Sequence, residues 1–299
     1  EVYILPGLID SHIHIESTMM IPSEFAKVAV KNGTVGVVTD PHEIANVLGE
    51  KGIEFMIKNS ESTPLKTFYC VPSCVPATTF ETSGATLDAD KIDKIFTKYN
   101  LKVLGEMMNY PGVLYDVPGV LSKIEVAKKH GAVIDGHAPH LTGDKLKKYI
   151  NAGISTDHEC GDIDEAIEKI NLGVNILIRE GSAAKNFEAL YPLISKFNKM
   201  VMLSTDDSHP DDLLKFGHIN KILKMGIKFG IDIFDLLSAA CVNPIKHYNL
   251  PIGLLRENDY ADMIIVDDLK SFNIQETIIN GNIVYSNGRI LFGTKNIQP

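Results

Sequence analysis

Apolar residues in this chain fall into short runs separated by longer amphipathic stretches. The runs at 5–13, 34–39, 67–73, 102–107, 132–137, 154–158, 175–180 and 200–206 are rich in Val, Ile and Leu. Such runs predict strands buried on both faces. Between them, helical spacing of apolar positions predicts helices near 22–32, 43–59, 88–99, 119–130, 142–152, 162–172, 184–197 and 211–229. Pro22-Ser23-Glu24 opens one helix, and Asp162 with Glu165 three residues on opens another. Gly33, Gly131, Gly153, Gly173 and Gly230 follow helices and suit left-handed terminal positions.

Eight strand–helix units over roughly 225 residues predict an α/β fold of the (β/α)8 TIM-barrel type, typically ~250 residues long. A doubly wound open sheet is the runner-up. The barrel is preferred because polar candidates end nearly every strand, and barrel active sites are built at that end. From about 252 the texture changes. Residues 261–266 read as a strand, and Asn280-Gly281-Asn282 reads as a turn between strand-like arms. The expected organisation is a metal-dependent barrel over 5–249, with 1–4 and 250–299 forming part of a small β-sandwich domain.

Composition narrows the function classes. Hydrophobic residues make up 44% and charged residues 22%, enough to bury a sizeable core. A net charge of -9, with no Lys/Arg-rich run, argues against nucleic-acid or anionic-membrane partners. No apolar stretch approaches 18 residues, so no membrane span is expected. No signal peptide is visible, and the chain opens at Glu1 rather than Met. Four cysteines, Cys70, Cys74, Cys160 and Cys241, are too few for a disulfide framework and fit a reducing cytoplasm. Cys70 and Cys74 read as core packing.

The chemistry starts at Leu5–Ser17, LPGLIDSHIHIES. On a strand, side chains alternate faces, so His12 and His14 point into one volume. Two converging imidazoles can bind a metal if other ligands join them. The bland alternative, a surface His pair, loses weight because later strands end in matching residues. Glu106 follows apolar Val103-Leu104, and His137 and His158 each end an apolar run. Asp206 closes the eighth strand, placed to touch a metal and accept a proton from activated water. His140, beyond Pro139, is a weaker candidate.

His42 follows the second strand and is not needed as a ligand; it could move protons or polarise a substrate. Arg179 and Glu180 at the end of strand seven read equally as an ion pair or as readers of a polar ring edge, with Ser182 assisting. Asp207 and His209 read as substrate holders or as the opening of the helix at Pro210.

These stretches resemble the adenine deaminase family, bacterial and archaeal type, of the amidohydrolase superfamily. The resemblance runs over about 3–268 through PGLIDSHIHIES, DPHEIANVLG, PSCVPAT followed by FETSGA, GEMMNYPGVL, IDGHAP, STDHEC, IREGSAAKN and STDDSHPDDLL. The His-x-His, the later histidines and the Asp identify the superfamily. DPHEIANVLG, PSCVPAT, GEMMN and REGSAAKN are more specific.

The resemblance implies a two-metal site and hydrolysis of adenine to hypoxanthine and ammonia, a purine-salvage reaction. It implies that His12, His14, Glu106, His137, His158 and Asp206 hold two divalent ions, manganese or iron, with zinc compatible with the donors. Glu106 then takes the place a carboxylated Lys fills in many binuclear relatives. Glu106, His42 and Asp206 become the catalytic residues, and Ser73, Arg179, Glu180, Ser182, Asp207 and His209 the substrate-binding set.

The alternatives are another superfamily hydrolase acting on a cyclic amide or related heterocycle, and an inactive metal-binding fragment. Glu106 in place of a strand-four Lys weighs against the first. Relatives carry a segment before PGLID and a long C-terminal domain, so the chain is expected to be truncated at both ends. Strands at 262–267 and 274–285 would then lack partners, and an open strand edge predicts a homo-oligomer.

Overall fold

The computed structural model describes residues 2–78 and 80–295. The remaining residues of the expected sandwich segments, Glu1 and 296–299, lie outside them. Two compact units divide the described chain. Residues up to Thr39, Met56–Phe68 and the residues from Ile178 onward form the first; Asp40–Phe55 and Tyr69–Leu177 form the second.

In the first unit, the run expected at 5–13 is two strands: β1 (Tyr3–Pro6) and β2 (Leu8–Ile13). Gly7 separates them, and a Cβ there would collide with Val35. β3 (Thr34–Thr39) runs parallel to β2, pairing Ile9 with Gly36 and Ile13 with Thr39. Leu8, Ile9, Ile13, Val35, Val37 and Val38 are fully buried, each worth about 1.5–3 kcal/mol of apolar burial. The helix Pro22–Lys31 connects β2 to β3, with Pro at its first turn and Lys31 in its last, matching the helix dipole.

Six more strands follow β3 before the chain reaches the last sheet of the first unit. They are β4 (Lys66–Tyr69), β5 (Val103–Met107), β6 (Val133–Gly136), β7 (Thr156–Asp157), β8 (Asn175–Arg179) and β9 (Val201–Ser204). Each overlaps a run read as a strand from the sequence, β4 starting one residue before its run. In the second unit, β5 pairs in parallel with β6, and β7 with the start of β8. The helix Ile163–Asn171 follows β7, and the Asp162 carboxylate caps it by accepting from the Asp164 and Glu165 N–H groups. Among the described residues, no sheet closes on itself.

The first unit also holds an antiparallel sheet of five strands in the order β1, β10 (Met263–Val266), β11 (Ile274–Ile279), β12 (Asn282–Ser286) and β13 (Arg289–Ile290). The expected hairpin turn is present: Asn280 and Gly281 both have positive φ, as a type I′ turn requires. β10 is paired on both sides, which corrects the expectation that it lacks a partner; β1 supplies one through Tyr3–Val266 to Pro6–Met263. Buried Asp262 fastens this sheet to β4, accepting from Lys66 Nζ at 2.7 Å and from the N–H groups of Gly253 and Asn280 at 3.0 and 2.9 Å. No helix among the described residues is long and apolar enough to cross a membrane.

His247, in the helix Asn243–Tyr248, makes stability pH-dependent. Burial pushes its pKa from 6.5 down to about 4. The folded state therefore keeps a neutral imidazole while the unfolded chain takes up a proton. Its contribution is fully present above pH 6.5 and is lost as pH falls toward about 4, by up to about 3 kcal/mol. Denaturant midpoints at pH 7 and pH 5 should differ less for His247→Leu than for the parent. An equal difference in both would remove His247 as the cause.

Candidate active site

In the first unit, β2 brings His12 and His14 to one side, as strand alternation requires. Their rings meet edge-on with centroids 4.8 Å apart. Asp206 follows β9, and its Oδ1 lies 3.4 Å from His12 Nε2 and 3.2 Å from His14 Nε2. Asp206 has a φ of 56°, a left-handed conformation that costs a non-glycine residue about 1–3 kcal/mol. The backbone holds it there: its N–H donates to the His12 carbonyl at 2.9 Å, and its carbonyl accepts from the His14 N–H at 3.4 Å. Arg179 Nη1 donates to its other oxygen at 2.5 Å.

Beneath this cluster lies fully buried Asp10. Its carboxylate accepts from the His12 N–H at 3.2 Å and from the Thr205 N–H at 3.1 Å and hydroxyl at 2.5 Å. His218 Nε2 lies 2.8 Å away, and Thr34 Oγ1 meets that ring's other nitrogen at 2.7 Å. One carboxylate thus ties the end of β2 to the residue before Asp206.

In the second unit, Glu106 is the hub. Its Oε2 lies 2.6 Å from His137 Nδ1 and 3.3 Å from His158 Nε2; its Oε1 lies 3.5 Å from His42 Nδ1. Glu106 is 3% exposed, so its carboxyl oxygens rely on these partners rather than on water. Its N–H donates to buried Asp40 at 3.1 Å. A Cβ on Gly105 would strike that same carboxylate, which is why glycine precedes Glu106. Two acidic residues not singled out from the sequence join here. Asp40 Oδ2 is 3.5 Å from His42 Nδ1, and Glu159 Oε1 is 3.6 Å from His137 Nδ1 and 3.4 Å from His158 Nε2. The only sequence signal for Glu159 was its place directly after His158.

The expected substrate-binding residues have varied surroundings. The Ser73 hydroxyl donates to the Glu106 carbonyl at 2.6 Å. Of the two readings held equal for Arg179 and Glu180, the mutual ion pair is not formed: Arg179 holds Asp206, and Glu180 pairs with Lys221 at 3.4 Å. The Ser182 hydroxyl donates to Asp212 at 2.6 Å and accepts from the His209 N–H at 2.8 Å, fastening the start of the helix Pro210–Phe216. Asp207 accepts from the Ser17 hydroxyl at 2.5 Å. The side chain of His140 is 82% exposed. All four cysteines are buried and none forms a disulfide, and burial pushes the Cys70 and Cys241 thiols well up.

The model of the Amidohydrolase family matches residues 3–284, almost the whole chain. The chain belongs to the amidohydrolase family. An adenine deaminase of Methanosarcina mazei is 60% identical over 98% of this chain and 53% of its own length. An adenine deaminase of Methanosarcina barkeri is 57% identical over 99% of this chain and 54% of its own. The chain thus spans about half the length of the curated relatives it matches. A solved β-aspartyl dipeptidase from Fervidobacterium islandicum, 18% identical, superposes with a TM-score of 0.70 over 99% of this chain and 86% of that one. That likeness shows a shared α/β fold.

Amidohydrolases use divalent metals, and the side chains fit such ions. His12, His14 and Asp206 each offer a donor atom within 4.8 Å of the others, as do His137, His158 and Glu159, and Asp40, His42 and Glu106. Imidazole nitrogen and carboxylate oxygen suit zinc, manganese and iron. Donors about 2.1 Å from a shared ion stand about 3.0–3.4 Å from each other. The 3.2 and 3.4 Å separations of Asp206 from His14 and His12 have that spacing.

Proposed function

We propose that this amidohydrolase deaminates adenine hydrolytically, giving hypoxanthine and ammonia, at a centre of two divalent ions. The observation that carries the reading is the 60% identity to an adenine deaminase across 98% of this chain. In the proposal the strands belong to a (β/α)8 barrel, with the antiparallel sheet as part of a β-sandwich.

His12, His14, Glu106, His137, His158 and Asp206 would hold the ions, manganese or iron, with zinc also compatible. When bound, such ions lower the pKa of water and polarise the developing oxyanion. The chain's own residues do the rest. Asp206 accepts the proton as water adds to C6 of the purine. His42 supplies a proton to N1, relieving charge on the ring. Glu106 carries the proton of the new C6 hydroxyl to the exocyclic nitrogen, so that the C6–N bond breaks, ammonia leaves and the C6 carbonyl forms; the proton taken by Asp206 balances the one given by His42. Proton transfer by positioned groups of this kind contributes about 10²–10⁴-fold each. Ser73, Arg179, Glu180, Ser182, Asp207 and His209 are proposed to orient the purine.

The test is incubation of the manganese-loaded chain with adenine, following hypoxanthine and ammonia. Equimolar release of both is expected, with free adenine turned over faster than adenosine. Faster turnover of adenosine would move the chain to a nucleoside substrate. No turnover of either by folded, metal-loaded protein would overturn the reading.

A further inference from the structure

Lys169 lies on the helix Ile163–Asn171 and is only 1% exposed. A buried ammonium is expensive unless its donors are satisfied. All three of its N–H groups have partners: the Ala138 carbonyl at 2.7 Å, Asp157 Oδ2 at 3.0 Å and Glu165 Oε1 at 2.6 Å. Two of these flank metal-ligand candidates. Ala138 directly follows His137, and Asp157 directly precedes His158.

The two carboxylates extend the grip. Asp157 also accepts from the N–H groups of Ala138 at 2.7 Å and Glu159 at 3.2 Å, and from Cys160 Sγ at 3.2 Å. Glu165 accepts from the N–H groups of His140 at 2.8 Å and Gly161 at 3.3 Å. The backbone after His137 and on both sides of His158 is therefore tied to one helix within the second unit.

We propose that Lys169 is a positioning residue that sets His137 and His158 for metal binding, an inference resting on the reading of those two as ligands. It acts through Ala138 and Asp157 and touches neither imidazole's metal-facing nitrogen.

The experiment must separate positioning from stabilisation of the fold. Lys169→Met leaves two buried carboxylates without their cation and is expected to lower the melting temperature. Lys169→Met combined with Glu165→Gln removes one of those charges while keeping its shape, and should recover most of that loss. Both variants and the parent are loaded with cobalt and scored on folded protein well below each melting point. The readouts are the cobalt absorption spectrum and the rate of cobalt release to a chromophoric chelator.

Positioning predicts that the double variant, though stable, releases cobalt about 10–100-fold faster and shows an altered spectrum, the scale expected for lost support behind metal ligands. A parental release rate and spectrum in the double variant would overturn the inference alone. A parent that takes up no cobalt would overturn the metal reading and this inference with it. If only the single variant folds, its own release rate and spectrum decide by the same criteria.

Discussion

Glu106→Ala is expected to strip the chain of metal and lower adenine turnover by more than the ~10²–10⁴ of a lost general acid or base. The carboxylate meets His137, His158 and His42 at 2.6, 3.3 and 3.5 Å, so one side chain serves three imidazoles. Its removal takes away both the proposed bridging charge and a proton carrier. The apo fold should survive. The partners left behind are imidazoles, which are uncharged in their neutral form, unlike the two carboxylates stranded by loss of Lys169. Glu106→Gln preserves the shape and one oxygen donor, so it should keep more metal than Glu106→Ala while remaining nearly as slow. Metal analysis and adenine deamination on identically loaded proteins read both. Full metal content in Glu106→Ala, with activity lost, would make Glu106 an acid facing the substrate rather than a ligand.

What could be read beforehand followed local periodicity. The alternation of β2 placed His12 with His14 because a strand has only two faces, and each parallel strand announced itself as a run of Val, Ile and Leu. Breaks inside a periodic stretch were harder to see. The helix expected over 43–59 is two, His42–Leu48 and Glu50–Ser60, because Gly49 takes a φ of 61° and a ψ of -144° that no helix continues. Helical spacing persists across such a glycine, so the pattern alone does not reveal the stop.

Within the site, the residues at strand ends were legible and their supports were not. Arg179 and Glu180 looked like a pair because they are adjacent. Adjacent residues on a strand face opposite sides, and each found its own partner, Asp206 and Lys221. Besides near neighbours, Asp10, Asp40 and Lys169 reach groups 195, 66 and 12 residues away. A single sequence shows that such charges exist but not which donors reach them. The acidic residue preceding each histidine, in Asp10-Ser-His12, Asp40-Pro-His42 and Asp135-Gly-His137, carries that information only once the neighbouring strand is in place.

Asp206→Asn should separate metal binding from chemistry. The asparagine keeps the side-chain shape and an oxygen that can face His12 and His14, so metal content should stay near that of the parent. It cannot accept the proton released as water adds to the purine, so turnover should fall by about 10²–10⁴-fold. Arg179 adds a condition. Its guanidinium occupies Asp206 Oδ2 at 2.5 Å, leaving Oδ1 facing the two histidines. A proton can be accepted at Oδ2 only if the guanidinium lets go, as it would on turning to a bound purine. Arg179→Met should therefore raise KM for adenine while leaving metal content unchanged, whereas Asp206→Asn should lower kcat. If Asp206→Asn retained substantial turnover, the base would have to be Glu106 or His42. If Arg179→Met lowered kcat alone, its role would lie in holding Asp206 rather than in reading the ring.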